Sequence, residues 1–170
     1  MFGPPETLLF AFAFLRKAIL GSSASNVYRT EVLRARPFPT DFGHAGDVGW
    51  GLRHCGEIRL GIVPEWFSKF VFHPRAKRIV EDSEAIRIQA ARETLAHVRE
   101  RIAPDVLRAA ENLCVAWEHL FATKARRQGT SFWILRPGGW RARMAENGAE
   151  ADLLLRRGEA LALIEQSLRA

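Results

Sequence analysis

From Ile88 to Phe121 apolar side chains recur at spacings of three and four residues, and the run is interrupted once, by Pro104. Ile88, Ala91, Leu95, Val98 and Ile102 make the first stripe, while Glu84, Arg87, Arg92, Glu93, Arg99, Glu100 and Arg101 occupy the other faces, the pattern of an amphipathic helix beginning at Ser83. Pro104 suits the first turn of a second helix, where its missing N–H would have had no partner. In that helix Val106, Leu107, Ala110, Leu113, Cys114, Trp117, Leu120 and Phe121 form a broader stripe, and Lys124, Arg126 and Arg127 followed by Gly129 supply a C-terminal stop. Pro104 to Gln128 would be roughly 37 Å long. Two such helices joined at a proline form an antiparallel or bent pair whose stripes must be covered. The expected class is mostly α: an antiparallel helical pair plus shorter helices, with long irregular aromatic and Gly/Pro-rich connectors.

A chain of 170 residues, 48 % hydrophobic and 26 % charged, can bury one sizeable core. Composition shifts divide it into a basic, apolar helical segment (1–35), a Gly/Pro-rich and aromatic segment (36–81), the helical hairpin (82–129), and an aromatic arm with a C-terminal helix (130–170). With 25 Lys and Arg against 19 Asp and Glu, the net charge is +6 and anionic partners are favoured.

Thr7 to Thr30 holds no acidic residue, and Arg16, Lys17 and Arg29 make it basic, with Ser22, Ser23 and Ser25 alongside. Mitochondrial import segments have this composition because they are drawn toward a negative-inside potential and lie on membranes as amphipathic helices. Leu8, Leu9, Phe12, Leu15 and Ile19 also fit a buried core helix. The uncharged run Thr7–Leu15 is about half of the roughly 20 residues that a membrane span needs, so a shallow insertion with Arg16 and Lys17 at headgroup level is the deepest reading allowed.

Between Arg36 and Gly61 the helical period is lost among Pro37, Pro39 and six glycines, and the segment reads as an irregular loop following a neighbour's surface. Its GHAGDVGWG run lacks the feeding strand and the Lys-Ser or Lys-Thr of a phosphate loop. Ile58–Val63 alternates like a short strand. In Pro64–His73, Trp66, Phe67, Phe70 and Val71 share one helical face beside Lys69, His73, Arg75, Lys77 and Arg78. That chemistry fits an interfacial helix with rings at headgroup depth and basic groups toward phosphate, and it also fits a core helix with a solvated basic end. Ser131–Trp140, with Phe132, Trp133 and Trp140, reads as an extended aromatic arm, and Ala149–Leu168 as a last helix with Leu154, Leu161, Ile164 and Leu168 in register.

No constellation in the sequence specifies a reaction. Cys55 and Cys114 are too few for a disulfide framework and are expected to be reduced thiols; no pair of His or Cys has zinc spacing, and no serine has nucleophile-elbow context. The expectation is a non-catalytic chain without metal or cofactor.

Two short stretches resemble known families. Phe14-Leu15-Arg16-Lys17-Ala18-Ile19-Leu20, followed by Val27-Tyr28-Arg29-Thr30 and Leu33-Arg34, resembles the opening of the Leu-Tyr-Arg motif proteins, small helical accessory subunits and assembly factors of mitochondrial complexes. It departs from them in having Phe14 and Leu15 for Leu-Tyr, and Pro37 and Pro39 where a helix should continue. Leu33-Arg34-Ala35-Arg36-Pro37-Phe38-Pro39 is similar to the stretch after the membrane helix of cytochrome c oxidase subunit VIa, although Thr40-Asp41-Phe42-Gly43 stands where that family has Trp-Gly-Asp-Gly. Together the resemblances imply a supernumerary subunit of a respiratory complex.

The functional expectation is therefore an accessory subunit of a mitochondrial inner-membrane respiratory complex or the ATP synthase, peripheral or shallowly inserted. Its partners would be other subunits and anionic phospholipid. Phe12, Arg16, Lys17, Trp66, Lys69, Phe70, Arg75, Lys77, Trp133 and Trp140 are the expected lipid or partner contacts. The alternative is a mitochondrial ribosome or RNA-associated protein using Arg34, Arg36, Arg75, Lys77, Arg78, Arg126, Arg127, Arg141 and Arg143 on phosphates. The 19 acids dispersed among these basic residues weigh against it.

Overall fold

The computed structural model describes residues 1–15, 26–42, 46–63, 83–130 and 137–169. Among them are six helices: α1 Pro4–Ala13, α2 Thr30–Ala35, α3 Gly46–His54, α4 Ser83–Val98, α5 Pro104–Thr130 and α6 Pro137–Arg169. The class is mostly α, as the sequence predicts. The apolar stripes of α4 and α5 face inward: Ala91, Leu95 and Val98 are buried from one, and Ala110, Leu113, Cys114, Trp117, Leu120 and Phe121 from the other. The two helices run antiparallel, because residue numbers rise on one as they fall on the other across the bridges Arg92–Glu118 (2.6 Å) and Arg99–Glu111 (2.9 Å). The most extensive partner of α5, however, is α6. That pairing is antiparallel too, with Lys124 on Glu150 at 3.2 Å and Arg157 over the Trp117 ring at 4.9 Å.

Helix α1 lies against α5 and α6 and is buried almost all round. Pro4 and Pro5 start it where N–H groups have no helical partner, and Thr7 N–H bonds back to Gly3 O at 2.9 Å. The last carbonyls of a helix need outside donors, and here three come from three other helices. Trp117 Nε1 donates to Phe12 O (2.8 Å), Arg157 Nε to Ala13 O (2.6 Å), and Arg87 Nη1 to Leu15 O (3.0 Å). Two of the three donors are cations at the negative end of the helix dipole. The N-terminal segment through Leu15 is thus a core element, and of its two sequence readings the buried helix is the one observed. Thr7 is the exception on this helix: its hydroxyl is buried and has no hydrogen-bond partner among the described residues. Replacing it by the isosteric valine removes a desolvated polar atom, so Thr7→Val is expected to raise unfolding free energy by about 1–2 kcal/mol in a denaturant titration.

The Gly/Pro-rich segment differs from its reading as a loop. Residues 46–54 form α3, with Trp50 and Leu52 buried, and its glycines serve close packing. A Cβ on Gly49 would stand 1.9 Å from the Phe42 ring, and one on Gly56 would stand 2.6 Å from Val98. Trp50 anchors the residues on either side of α2: its Nε1 donates to Arg36 O at 2.6 Å, and its ring meets Tyr28 at 5.0 Å and Phe38 at 5.5 Å. Ile58–Val63 is not a strand; Leu60 alone pairs, antiparallel with Phe2.

The C-terminal region is corrected twice. Its helix begins at Pro137, twelve positions ahead of the predicted start, so Trp140 sits in the first turns of α6 and not on an extended arm. Of the four residues in the expected register, Ile164 alone is buried. Ala149, Leu153, Ala160 and Ile164 are buried, whereas Leu154, Leu161 and Leu168 point outward.

Candidate interaction surface

Apolar residues occupy two faces of α6, and only one of them is covered. At 100° per residue, Met144, Ala151, Leu155 and Ala162 fall opposite the buried face that contacts α1 and α5, and Leu154, Leu161 and Leu168 fall on the flank between the two. Met144 is 55 % exposed, Leu154 63 %, Leu155 59 %, Leu161 40 % and Leu168 53 %. Single exposed leucines are ordinary on protein surfaces. Five large apolar side chains exposed along about 36 Å of one helix, with Asn147 and the Glu165–Arg169 pair among them, are more than scattered leucines and mark a surface fit for contact with another molecule. On the same helix, Gly158 leaves open space where a Cβ would stand, so nothing in this chain's own packing calls for glycine there. Interior helix glycine is destabilising by about 1 kcal/mol relative to alanine. A partner's backbone approaching closely would use that space.

The expected contact residues fare unevenly. Phe12 is removed from the set: its side chain is fully buried in this chain's own core, on the helix whose end Trp117 caps, and it cannot reach lipid or a partner. Arg16, Lys17, Trp66, Lys69, Phe70, Arg75, Lys77 and Trp133 lie outside the described residues, as does the proposed interfacial helix Pro64–His73. Trp140 belongs to α6, at a position whose side chain is likewise outside the description. Periodicity places Leu154, Leu161, Ile164 and Leu168 in register and does not say which of them face outward, so the exposed leucines of α6 are not among the contact residues expected from the sequence.

The densest polar cluster centres on Glu57, just beyond α3. One carboxylate oxygen meets Arg36 Nε at 3.0 Å and His54 Nδ1 at 3.6 Å; the other meets His97 Nε2 at 2.8 Å and Arg101 Nη1 at 3.5 Å. Beside it Arg53 bridges Asp41 (3.0 Å) and Glu93 (3.1 Å), and the cluster rims a cavity of about 300 Å³. It ties α2, α3 and α4 together. Burial alone would raise the Glu57 carboxyl, but hydrogen bonds from His97 and Arg36 and the neighbouring positive charge outweigh it and hold the group at about 2. Burial pushes His54 the other way, below its ordinary value of 6.5.

Both shifts make the fold acid-sensitive. A carboxylate depressed in the folded state contributes stability that is complete above its unfolded value of 4.5 and is lost as pH falls toward 2. A depressed imidazole is protonated first in the unfolded chain, so stability also declines as pH drops below 6.5. Chemical denaturation at a series of pH values is expected to show this two-part decline. Glu57→Gln should flatten the part below pH 4.5 and lower stability by about 2–3 kcal/mol at neutral pH. An unchanged acid limb in Glu57→Gln would show that Glu57 does not carry it.

Both cysteines are buried free thiols. Cys55 donates to Leu52 O at 3.0 Å, and burial pushes its pKa upward; Cys114 donates to Glu118 Oε1 at 3.6 Å and is pushed up to about 12, chiefly by burial and then by the Glu118 charge. Thiols held protonated in this way are poor nucleophiles. Among the described residues no three His, Cys, Asp or Glu side chains are placed to hold a metal ion, and no helix is long and apolar enough to cross a membrane. No protein-family model, curated protein or solved structure matches the chain.

Proposed function

We propose that this chain is a non-catalytic accessory subunit that is held in a larger assembly through the outer face of α6. The observation that carries the reading is the set of exposed side chains Met144, Leu154, Leu155, Leu161 and Leu168, on a helix whose buried face is already committed to α1 and α5. Burying one leucine is worth about 1.5–3 kcal/mol, so a partner covering them gains enough for stable association. The assembly proposed is a respiratory complex or the ATP synthase of the mitochondrial inner membrane, with the chain peripheral to the lipid. The net charge of +6 and the two short sequence resemblances support this finer assignment.

The test is a native gel of mildly solubilised mitochondrial membranes carrying a tagged chain. Migration with a respiratory complex or the ATP synthase is the expected result. Migration of the chain alone, or with ribosomal RNA, overturns the assignment, the latter in favour of the RNA-associated alternative.

A further inference from the structure

A cavity of about 410 Å³ opens between α5 and α6, lined by Trp117, Leu120, Lys124, Glu150, Leu153, Leu154 and Arg157. Its walls are mostly apolar, and its charges do not cancel. Lys124 is paired with Glu150 at 3.2 Å. Among the described residues no carboxylate pairs with Arg157: its Nε donates to Ala13 O, and its guanidinium carbon lies 4.9 Å from the centre of the Trp117 ring and 5.7 Å from that of Phe14. The site thus carries one excess positive charge, on a planar donor fork with terminal N–H groups not used by Ala13, beside a wall of leucine and tryptophan. Volume, apolar lining and a few convergent polar groups are the usual makings of a small-molecule site.

We propose that this cavity binds a monoanionic amphiphile, a carboxylate with an unbranched apolar tail, whose head group pairs with Arg157 and Lys124 and whose tail lies along Leu120, Leu153 and Leu154. Arginine recognises a carboxylate through parallel N–H bonds. The apolar wall selects against small inorganic anions, and the excess charge selects against neutral and cationic chains. The proposal does not depend on docking through the outer face of α6: Leu154 borders both, and titration of the purified chain tests the cavity in the absence of any partner.

Titration of the full chain with sodium dodecanoate, dodecan-1-ol and dodecyltrimethylammonium below their aggregation concentrations, followed by calorimetry and tryptophan fluorescence, tests it. One dodecanoate per chain is expected, bound at least about tenfold more tightly than the alcohol or the ammonium compound, the discrimination of a charge-assisted hydrogen bond. Arg157 also caps α1, so Arg157→Gln is read only alongside Leu154→Glu, which sets a carboxylate at the rim from an exposed position. Leu154→Glu is expected to weaken dodecanoate binding about tenfold or more while the fold is kept. Leu155→Glu, on the side of α6 away from Arg157, should leave it unchanged. Equal binding of the three chains, many dodecanoates per chain, or unaltered affinity in Leu154→Glu would overturn the proposal.

Discussion

Trp117→Ala is expected to lower unfolding free energy by about 3–5 kcal/mol, the range for emptying a large aromatic site in a core. The size follows from what one side chain does in three directions. Its ring fills the junction of α1, α5 and α6 at 2 % exposure, its face carries the Arg157 guanidinium, and its Nε1 closes the carbonyl of Phe12. Removing it opens a cavity and leaves a helix-end acceptor without its donor, which places the loss toward the upper end of that range. For a chain of this length the melting temperature should fall by roughly 6–20 °C. Trp117→Phe separates the two effects. It keeps most of the ring and loses the hydrogen bond, and is expected to fall between wild type and alanine. Equal melting temperatures for wild type and Trp117→Ala would mean that α1 is not held as described.

The second large effect concerns association and leaves the fold intact. Leu155 and Leu161 are exposed, so Leu155→Glu with Leu161→Glu should alter the melting temperature by no more than about 2 °C. Within an interface the same pair forfeits two buried leucines and places two carboxylates against apolar surface. The resulting loss exceeds about 3 kcal/mol, a weakening of more than about a hundredfold. The doubly substituted chain is therefore expected to fold normally and to run free of the assembly in a native gel. Comigration undiminished by the substitutions would remove the outer face of α6 as the docking surface.

How far the sequence disclosed this can be followed element by element. The stripes of α4 and α5 were legible because each helix buries one face only, so spacing and burial coincide from Ala91 to Phe121. Helix α6 defeats the same reasoning. With leucines on both faces, periodicity identifies a helix and does not say which face is inward, and the buried set Ala149, Leu153, Ala160 and Ile164 is smaller and less conspicuous than the exposed one. In α3 the glycines hid a helix, since intrinsic propensity counts against them. The spacing of Val48, Leu52 and Cys55 was the available signal, and the reason for Gly49 is the ring of Phe42, which no local pattern reveals. The Glu57 cluster joins Arg36, His54 and His97 from three elements, and the cap of α1 draws on residues up to 144 positions away. Contacts of this range are created by the fold.

The central claim, that the outer face of α6 is covered in the native assembly, is most directly tested by the reactivity of a thiol placed there. Cys55 and Cys114 are buried and kept protonated, so Leu161→Cys would report against a low background. A maleimide reagent is expected to label Leu161→Cys rapidly in the purified chain and at least about tenfold more slowly in intact, gently solubilised membranes, with full reactivity restored when the assembly is dissociated. Equal labelling rates in the purified chain and in the native membranes would contradict the account.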